Sequence, residues 1–556
     1  MKVYEAIANA FIKEGTTTIF GLLGDGNMLW SAAMSKYPDV QNVDVRDEGA
    51  ALTMAEGWAR ATGKVGICSV THGPGITRMM TSLVSVTRCS IPVVICTSAT
   101  ELNNDGINQA IDQKPLVTAT GAGYVQVLKP AFAESAVRQA FHMARTQLRP
   151  VVLAVPMDVQ KMECDADGAD YEPSTTLFET QQKIRPAVDR VNAAVDIIRA
   201  SKKCVVICGR GAIKSGALDP AAKLAKRLGA LTATTLLAKG TFGDPQYHAG
   251  VAGMFSTKTV MQLFEEADCA IAVGASLNPH TIEGGYLFPQ GKIIHIDAEP
   301  CVVMGNGRVA DCYVQGDAAV TVQMIDELLA QENIAREGYR TAAVKKLLAG
   351  ADRDPAEYEI EAGTVDPREA CRVVDEHLPA DVGVAIGLGH SFAFPVMVMN
   401  KPRPFQIYSN GFGSIGQTFA TAIGAAVALK GKPLVAIEGD GGAMQNIQEL
   451  DTLRRTGAKL LFIIMNDETL GAEYHKLKAV KLEPALANVD SPDFAAVARG
   501  FGVRGVCART LDEVAAGVDE FLKGDGPMVM DRSEEHTSEL QSRLHLVYRL
   551  LLEKKK

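Results

Sequence analysis

Nothing in this chain marks it for secretion, for a membrane or for nucleic acid. No Cys-x-x-Cys pair occurs among its 11 cysteines, and several, such as Cys68, Cys96 and Cys204, sit inside apolar runs. That pattern excludes a disulfide or zinc framework and predicts buried free thiols in a reducing cytoplasm. No apolar run reaches the roughly 20 residues that cross a bilayer. The helical N-terminus MKVYEAIANAFIKEG lacks the uninterrupted apolar core of a signal peptide. No basic run precedes the extreme C-terminus, and a net charge of -9 argues against a nucleic-acid surface. What remains is a globular composition, 47% hydrophobic and 22% charged, over 556 residues. That length exceeds one core and predicts about three domains.

The sharpest motif lies between Ala436 and Tyr474, AIEGDGGAMQNIQELDTLRRTGAKLLFIIMNDETLGAEY. The pattern predicts a strand over Pro433–Ile437, a turn at Gly439-Asp440-Gly441-Gly442, and a helix from Ala443 to Arg455 ended by Gly457. A second strand over Leu460–Met465 then ends at Asn466-Asp467. In a right-handed βαβ crossover the two strands are parallel neighbours, so Asp440 and the Asn466-Asp467 pair converge. Glycines let backbone approach a phosphate, and the helix start offers free N–H groups to an anion. A hard cation such as Mg²⁺ needs oxygen ligands, and Asp440, the Asn466-Asp467 pair and the Thr469 carbonyl can supply them. A lone GDG reads as a surface turn; a strand-end Asn-Asp at this separation favours the metal.

This stretch resembles the cofactor signature of thiamine diphosphate (ThDP) enzymes: GDG, a helix and strand, then Asn-Asn. Asp467 stands where the second Asn, the usual side-chain ligand of the metal, is found. Three more segments resemble the acetolactate synthase and 2-oxo acid decarboxylase (pyruvate oxidase-like) group, in family order. They are RDEGAALTMAEGWARATG from Arg46, THGPGITR from Thr71, and Gln109-Ala110-Ile111-Asp112-Gln113. The resemblance implies ThDP and Mg²⁺ as cofactors, with Asp440, Asp467 and Thr469 on the metal. Gly439, Gly441, Gly442, His390 and Ser391 would line the diphosphate, and Glu48 would touch the aminopyrimidine ring. Asn410–Gly416, NGFGSIG, resembles the segment in which a glycine carbonyl, here Gly413, holds the pyrimidine amino group and an apolar side chain, here Ile415, props the cofactor bent.

Substrate-facing candidates are Gln109, His72 and Glu473, with His475 a weaker one. Glu473 matches a position where pyruvate-type decarboxylases carry an acid, and His72 is the nearest substitute for their absent His-His pair. Asn108 in place of an aromatic, the acidic Glu473 and the lack of a clear flavin site separate the chain from a true acetolactate synthase. The implied activity is a ThDP- and Mg²⁺-dependent decarboxylase or carboligase of a 2-oxo acid. The alternatives are a flavin-dependent oxidase of the same family or a catalytically silent ThDP-binding subunit. A homodimer or homotetramer with active sites between subunits is implied as well.

Strands and helices alternate throughout, which predicts an α/β fold of three doubly wound parallel-sheet domains. By resemblance these are pyrimidine-binding (1–165), central (186–335) and diphosphate-binding (366–532). The first domain carries a second GDG, Gly24–Gly26, but the position equivalent to Asp467 is Leu52 inside a helix, so this turn lines a pocket and binds no metal. Asp165–Pro186 reads as a polar linker, and Ile334–Gly363 as a charged, mostly helical connection. In the central domain Gly209-Arg210-Gly211 is not GxGxxG, so FAD is a disfavoured ligand there. Arg532–Ser542, RSEEHTSELQS, matches the conceptual translation of a sequencing-library adapter. The expectation is that 532–556 is an artefactual tail following a strand over Met528–Met530.

Overall fold

Among the described residues, every pairing between strands is parallel. The computed structural model describes residues 1–104, 106–164, 171–177, 182–299, 304, 307–350, 360, 362–409 and 411–533. The strands form three six-stranded sheets. The first holds β1 (Thr18–Gly21), β2 (Gln41–Asp44), β3 (Gly66–Ser69), β4 (Val93–Ala99), β5 (Gly123–Gln126) and β6 (Pro150–Pro156) in the order 2-1-3-4-6-5. The second holds β7 (Cys204–Cys208), β8 (Leu231–Thr234), β9 (His248–Val251), β10 (Cys269–Val273), β11 (Lys292–Asp297) and β12 (Cys312–Gln315) in the order 12-11-10-7-8-9. The third repeats the first: β13 (Gly383–Ile386), β14 (Gln406–Tyr408), β15 (Leu434–Gly439), β16 (Leu460–Asn466), β17 (Arg504–Ala508) and β18 (Met528–Ser533), ordered 14-13-15-16-18-17. One compact unit carries the first and third sheets, and another carries the second.

The central strands β4, β6, β7 and β10 are buried along their whole length, as a parallel sheet covered on both faces requires. Five strands that carry no clear mark in the sequence, β5, β9, β12, β14 and β17, lie at sheet edges. There one neighbour is missing and the apolar pattern thins. β17, for instance, has only its last residue, Ala508, buried over RGVCA.

The first and third sheets share a core in their unit. The helix Glu48–Thr62 packs on the helix Thr418–Leu429, both rich in alanine. Gly57 and Gly424 make the approach close: a Cβ on Gly57 would stand 1.8 Å from Thr421 O, and one on Gly424 1.9 Å from Met54 O. Phe419 stacks on Phe462 with centroids 4.1 Å apart, continuing the core into β16.

Three expectations need correction. The helix after the GDG turn is not continuous over Ala443–Arg455. It begins at Asp440, breaks after Gln445 where Asn446 takes φ -130 and ψ 25, and resumes as a 3₁₀ turn and the helix Leu450–Thr456. Gly457, at φ 61, ends it in the left-handed cap the sequence suggests. The polar stretch read as a linker is partly anchored. Tyr171 Oη donates to Glu14 Oε1 at 2.8 Å, and the Ser174 N–H donates to the same oxygen at 2.7 Å. Finally, β18 runs past Met530 to Ser533, paired with β16 and β17, and Arg532 is fully buried. The rest of the suspected tail lies outside the described residues, as does Asn410. All ten described cysteines are free, and Cys507 alone among them is exposed. Among the described residues no helix is long and apolar enough to cross a membrane.

Candidate functional site

In the third sheet the chain winds away in opposite directions from β13 and β15, which are hydrogen-bonded neighbours, and a ligand crevice belongs outside their carboxyl ends. The turn after β13 brings His390 and Ser391 there, the end of β15 brings Asp440, and the end of β16 brings Asp467. Pairing of Gly439 with Met465 sets the two acids beside one another. One cavity of about 520 Å³, counting its open mouth, collects Gly439, Asp440, Gly441, Gly442, Asp467, Thr469, His390, Ser391, Ile415 and Glu473.

Asp440 is 2% exposed. Its Oδ2 accepts from Ser491 Oγ at 2.7 Å and its Oδ1 from the Gly441 N–H at 2.7 Å. Burial, reinforced by the neighbouring Asp467 charge, pushes its carboxyl up to about 7. Asp467 Oδ1 accepts from the Thr469 N–H at 3.0 Å, and its Oδ2 lies 3.9 Å from His390 Nδ1. Glu468 between them holds φ 53, uncommon for a residue with a Cβ. The Thr469 hydroxyl and His390 Nε2 are both buried without a hydrogen-bond partner. The His390 ring packs edge-on to Phe394 at 4.9 Å and lies 4.6 Å from the His475 ring. Asn466 turns away: its Nδ2 donates to Asp531 Oδ1 at 3.2 Å. Two mutually repelling carboxylates with unpaired polar atoms around them suit a hard divalent cation and a phosphate.

Ile415 is half-buried and lines the cavity, whereas Gly413, at φ 77, is exposed and does not. Glu473 stands at the rim, with its side chain largely exposed and its Oε1 3.1 Å from Lys476 Nζ. The remaining candidates lie around the first sheet and do not line this cavity. Glu48 opens the helix Glu48–Thr62 behind the N-cap Asp47, is 8% exposed, and has Oε2 3.3 Å from Arg78 Nε. His72 is 1% exposed, with Nδ1 2.6 Å from Ser98 Oγ and Nε2 unpartnered. Burial lowers its imidazole below the ordinary histidine value, partly offset by Asp25. Gln109 Oε1 accepts from Thr71 Oγ1 at 3.4 Å. The Gly24–Gly26 turn meets the same threonine: the Gly26 N–H donates to Thr71 Oγ1 at 3.2 Å.

Two buried acids escaped the sequence reading. Glu438, inside the apolar strand LVAIEG, accepts from the Gly416 and Phe419 N–H groups at 2.9 and 3.3 Å, and burial pushes its carboxyl up to about 7. Glu449 accepts from the Arg46 N–H at 2.9 Å and Thr452 Oγ1 at 2.6 Å, and burial likewise raises it to about 7. Glu449 thus ties the segment that precedes Glu48 to the 3₁₀ turn that follows the Asp440 helix. A charge in an otherwise apolar strand was the signal available for Glu438. In the second sheet, the Gly209-Arg210-Gly211 turn packs on Gly274: a Cβ on Gly209 would stand 2.3 Å from Gly274 O.

Three family models match successive stretches of the chain. Residues 1–116 match the thiamine pyrophosphate enzyme N-terminal TPP binding domain, 191–325 the central domain and 385–532 the C-terminal TPP binding domain. The chain is similar to a probable acetolactate synthase large subunit of Methanocaldococcus jannaschii, 30% identical over 543 residues that cover 96% of this chain and 91% of that one. It is 30% identical over 542 residues to the acetolactate synthase large subunit of Parasynechococcus marenigrum, covering 95% and 86%. To chloroplastic acetolactate synthase 2 of Zea mays it is 26% identical over 545 residues, covering 95% and 84%.

Proposed function

This chain belongs to the thiamine diphosphate-dependent enzymes of the acetolactate synthase and 2-oxo acid decarboxylase group, and from that membership we propose how its candidate residues share the work. The enzyme uses ThDP and Mg²⁺ and acts as a decarboxylase or carboligase of a 2-oxo acid. When bound, ThDP supplies a thiazolium carbon that adds to the substrate carbonyl and takes up the electron pair released with carbon dioxide.

In our reading the Asp440 and Asp467 carboxylates and the Thr469 carbonyl hold the metal. Gly439, Gly441, Gly442, His390 and Ser391 line the diphosphate, while Ile415 and the Gly413 carbonyl brace the pyrimidine side. Glu48 donates a hydrogen bond to the aminopyrimidine ring and exchanges the proton that activates it. Gln109, His72 and Glu473 face the 2-oxo acid. The observation that carries this reading is the single cavity holding both acids, Thr469, His390, Ser391 and Ile415.

Glu48, His72 and Gln109 lie outside that cavity within one chain, which supports a homodimer or homotetramer whose sites pair the first-sheet candidates of one copy with the third-sheet cavity of another. The divisions at 1–165, 186–335 and 366–532 follow the same reading, as does a cytoplasmic location. Packing on Gly274 accounts for the glycines at 209 and 211, so the reading calls on no FAD.

Carbon dioxide release from a panel of 2-oxo acids tests the proposal. Release that needs both added ThDP and Mg²⁺, stops with EDTA and consumes no oxygen is expected. Oxygen uptake stoichiometric with decarboxylation would assign the chain to the flavin-dependent oxidases. Tight ThDP binding without turnover of any acid would favour a silent subunit.

A further inference from the structure

The backbone of one residue beside the cavity is gripped from both sides of the Asp440 turn. The Gly416 N–H donates to Glu438 Oε1 at 2.9 Å, two residues before Asp440. The Gly416 carbonyl accepts from Asn446 Nδ2, at the residue that ends the Asp440 helix. Asn446 departs from helical geometry there, at φ -130. The second Glu438 oxygen, Oε2, accepts from the Phe419 N–H at 3.3 Å, at the start of the helix Thr418–Leu429. Gly416 itself stands at φ 87, and a Cβ on it would meet Gln445 at 2.7 Å. The glycine is therefore required by conformation and by space.

Burying a carboxylate at 0% exposure inside an apolar strand is costly unless its lone pairs are used. Here they are used on backbone, and no other charged side chain is bonded to it among the described residues. Its neighbours are segments that shape the cavity: a Cβ on Gly442 would lie 2.7 Å from Glu438 Oε1, and one on Gly387 2.8 Å from its Cγ. Ile415, the residue before the gripped glycine, projects into the same cavity as Asp440.

We propose that Glu438 and Asn446 are positioning residues that clamp the two peptide groups flanking Gly416 and so hold Ile415 at a set distance from the metal-binding turn, shaping the cavity for a bent cofactor before it arrives. This rests on the reading of the cavity as a ThDP site. Only a carboxylate offers acceptors to both N–H groups at once; a glutamine turns a donor toward one of them. Asn446 is half-buried and donates from the other side, so it can be removed without burying a new charge.

The test is ThDP binding to the purified chain at saturating Mg²⁺, measured by titration calorimetry in wild type, Asn446→Ala, Glu438→Gln, Ile415→Ala and the double variants with Ile415→Ala. Each clamp substitution is expected to weaken ThDP binding about tenfold in the wild-type background and less than about twofold once Ile415 is already Ala, because the clamp acts through that side chain. Equal factors in the two backgrounds, or clamp variants that bind like wild type, would overturn the proposal. If Glu438→Gln does not fold, Asn446→Ala alone decides by the same criterion. Failure of the wild type itself to bind ThDP would instead refute the cofactor reading, and the proposal with it.

Discussion

Glu48→Gln is expected to lower turnover about a thousandfold, equivalent to about 4 kcal/mol of lost transition-state stabilisation. The substitution preserves shape and one hydrogen bond but removes the exchangeable proton. Glu48 is well placed for that exchange: it opens a buried helix and is 8% exposed. Because the side chain keeps its volume, ThDP affinity should change by no more than a few-fold, which calorimetry checks alongside the rate. Near-normal turnover in this variant would remove Glu48 from the chemistry.

Asp440→Asn is expected to weaken Mg²⁺-dependent ThDP binding about a hundredfold or more, since one of two carboxylates on the cation disappears. The same variant should gain stability when no cofactor is present. In the metal-free fold the Asp440 carboxyl sits at about 7, above its ordinary 3.8, because it is buried beside Asp467. The folded chain then holds this proton more tightly than the unfolded chain, so its contribution is complete at low pH and is lost as pH rises from about 4 through 7. Above pH 7 the ionised acid is a net cost. Its removal should raise cofactor-free stability at pH 8 by on the order of 4 kcal/mol, with little change at pH 4. Thermal midpoints at both pH values, with and without Mg²⁺ and ThDP, check both halves. A variant that is destabilised at pH 8 yet still gains from cofactor would contradict the assignment.

The convergence of Asp440 with Asp467 was legible because its parts are local: a strand end, three glycines, and an acid pair one crossover later, with β15 and β16 paired in parallel. The doubly wound pattern was legible for the same reason, as strands such as β7 (CVVIC) and β10 (CAIAV) are continuous apolar runs in the sequence. What escaped depends on distant partners. The break at Asn446 is tied to a carbonyl 30 residues earlier, and no helical propensity at that position announces it. Glu449 meets the Arg46 amide across 403 residues, so its burial has no local sign. Edge strands such as β14 and β17 are defined more by the neighbour they pair with than by their own pattern. The separation of Glu48, His72 and Gln109 from the Asp440 cavity follows from packing of the helices Glu48–Thr62 and Thr418–Leu429, which fixes the two sheets within the unit.

That separation makes one measurement the most direct test: carbon dioxide release by enzyme co-expressed from the Glu48→Gln and Asp440→Asn chains, each inactive alone. A site shared between copies places intact Glu48 of one chain over intact Asp440 of the other in half the sites of a mixed pair, so about a quarter of wild-type turnover should return. Activity no higher than that of the two inactive parents would contradict a site built from two chains.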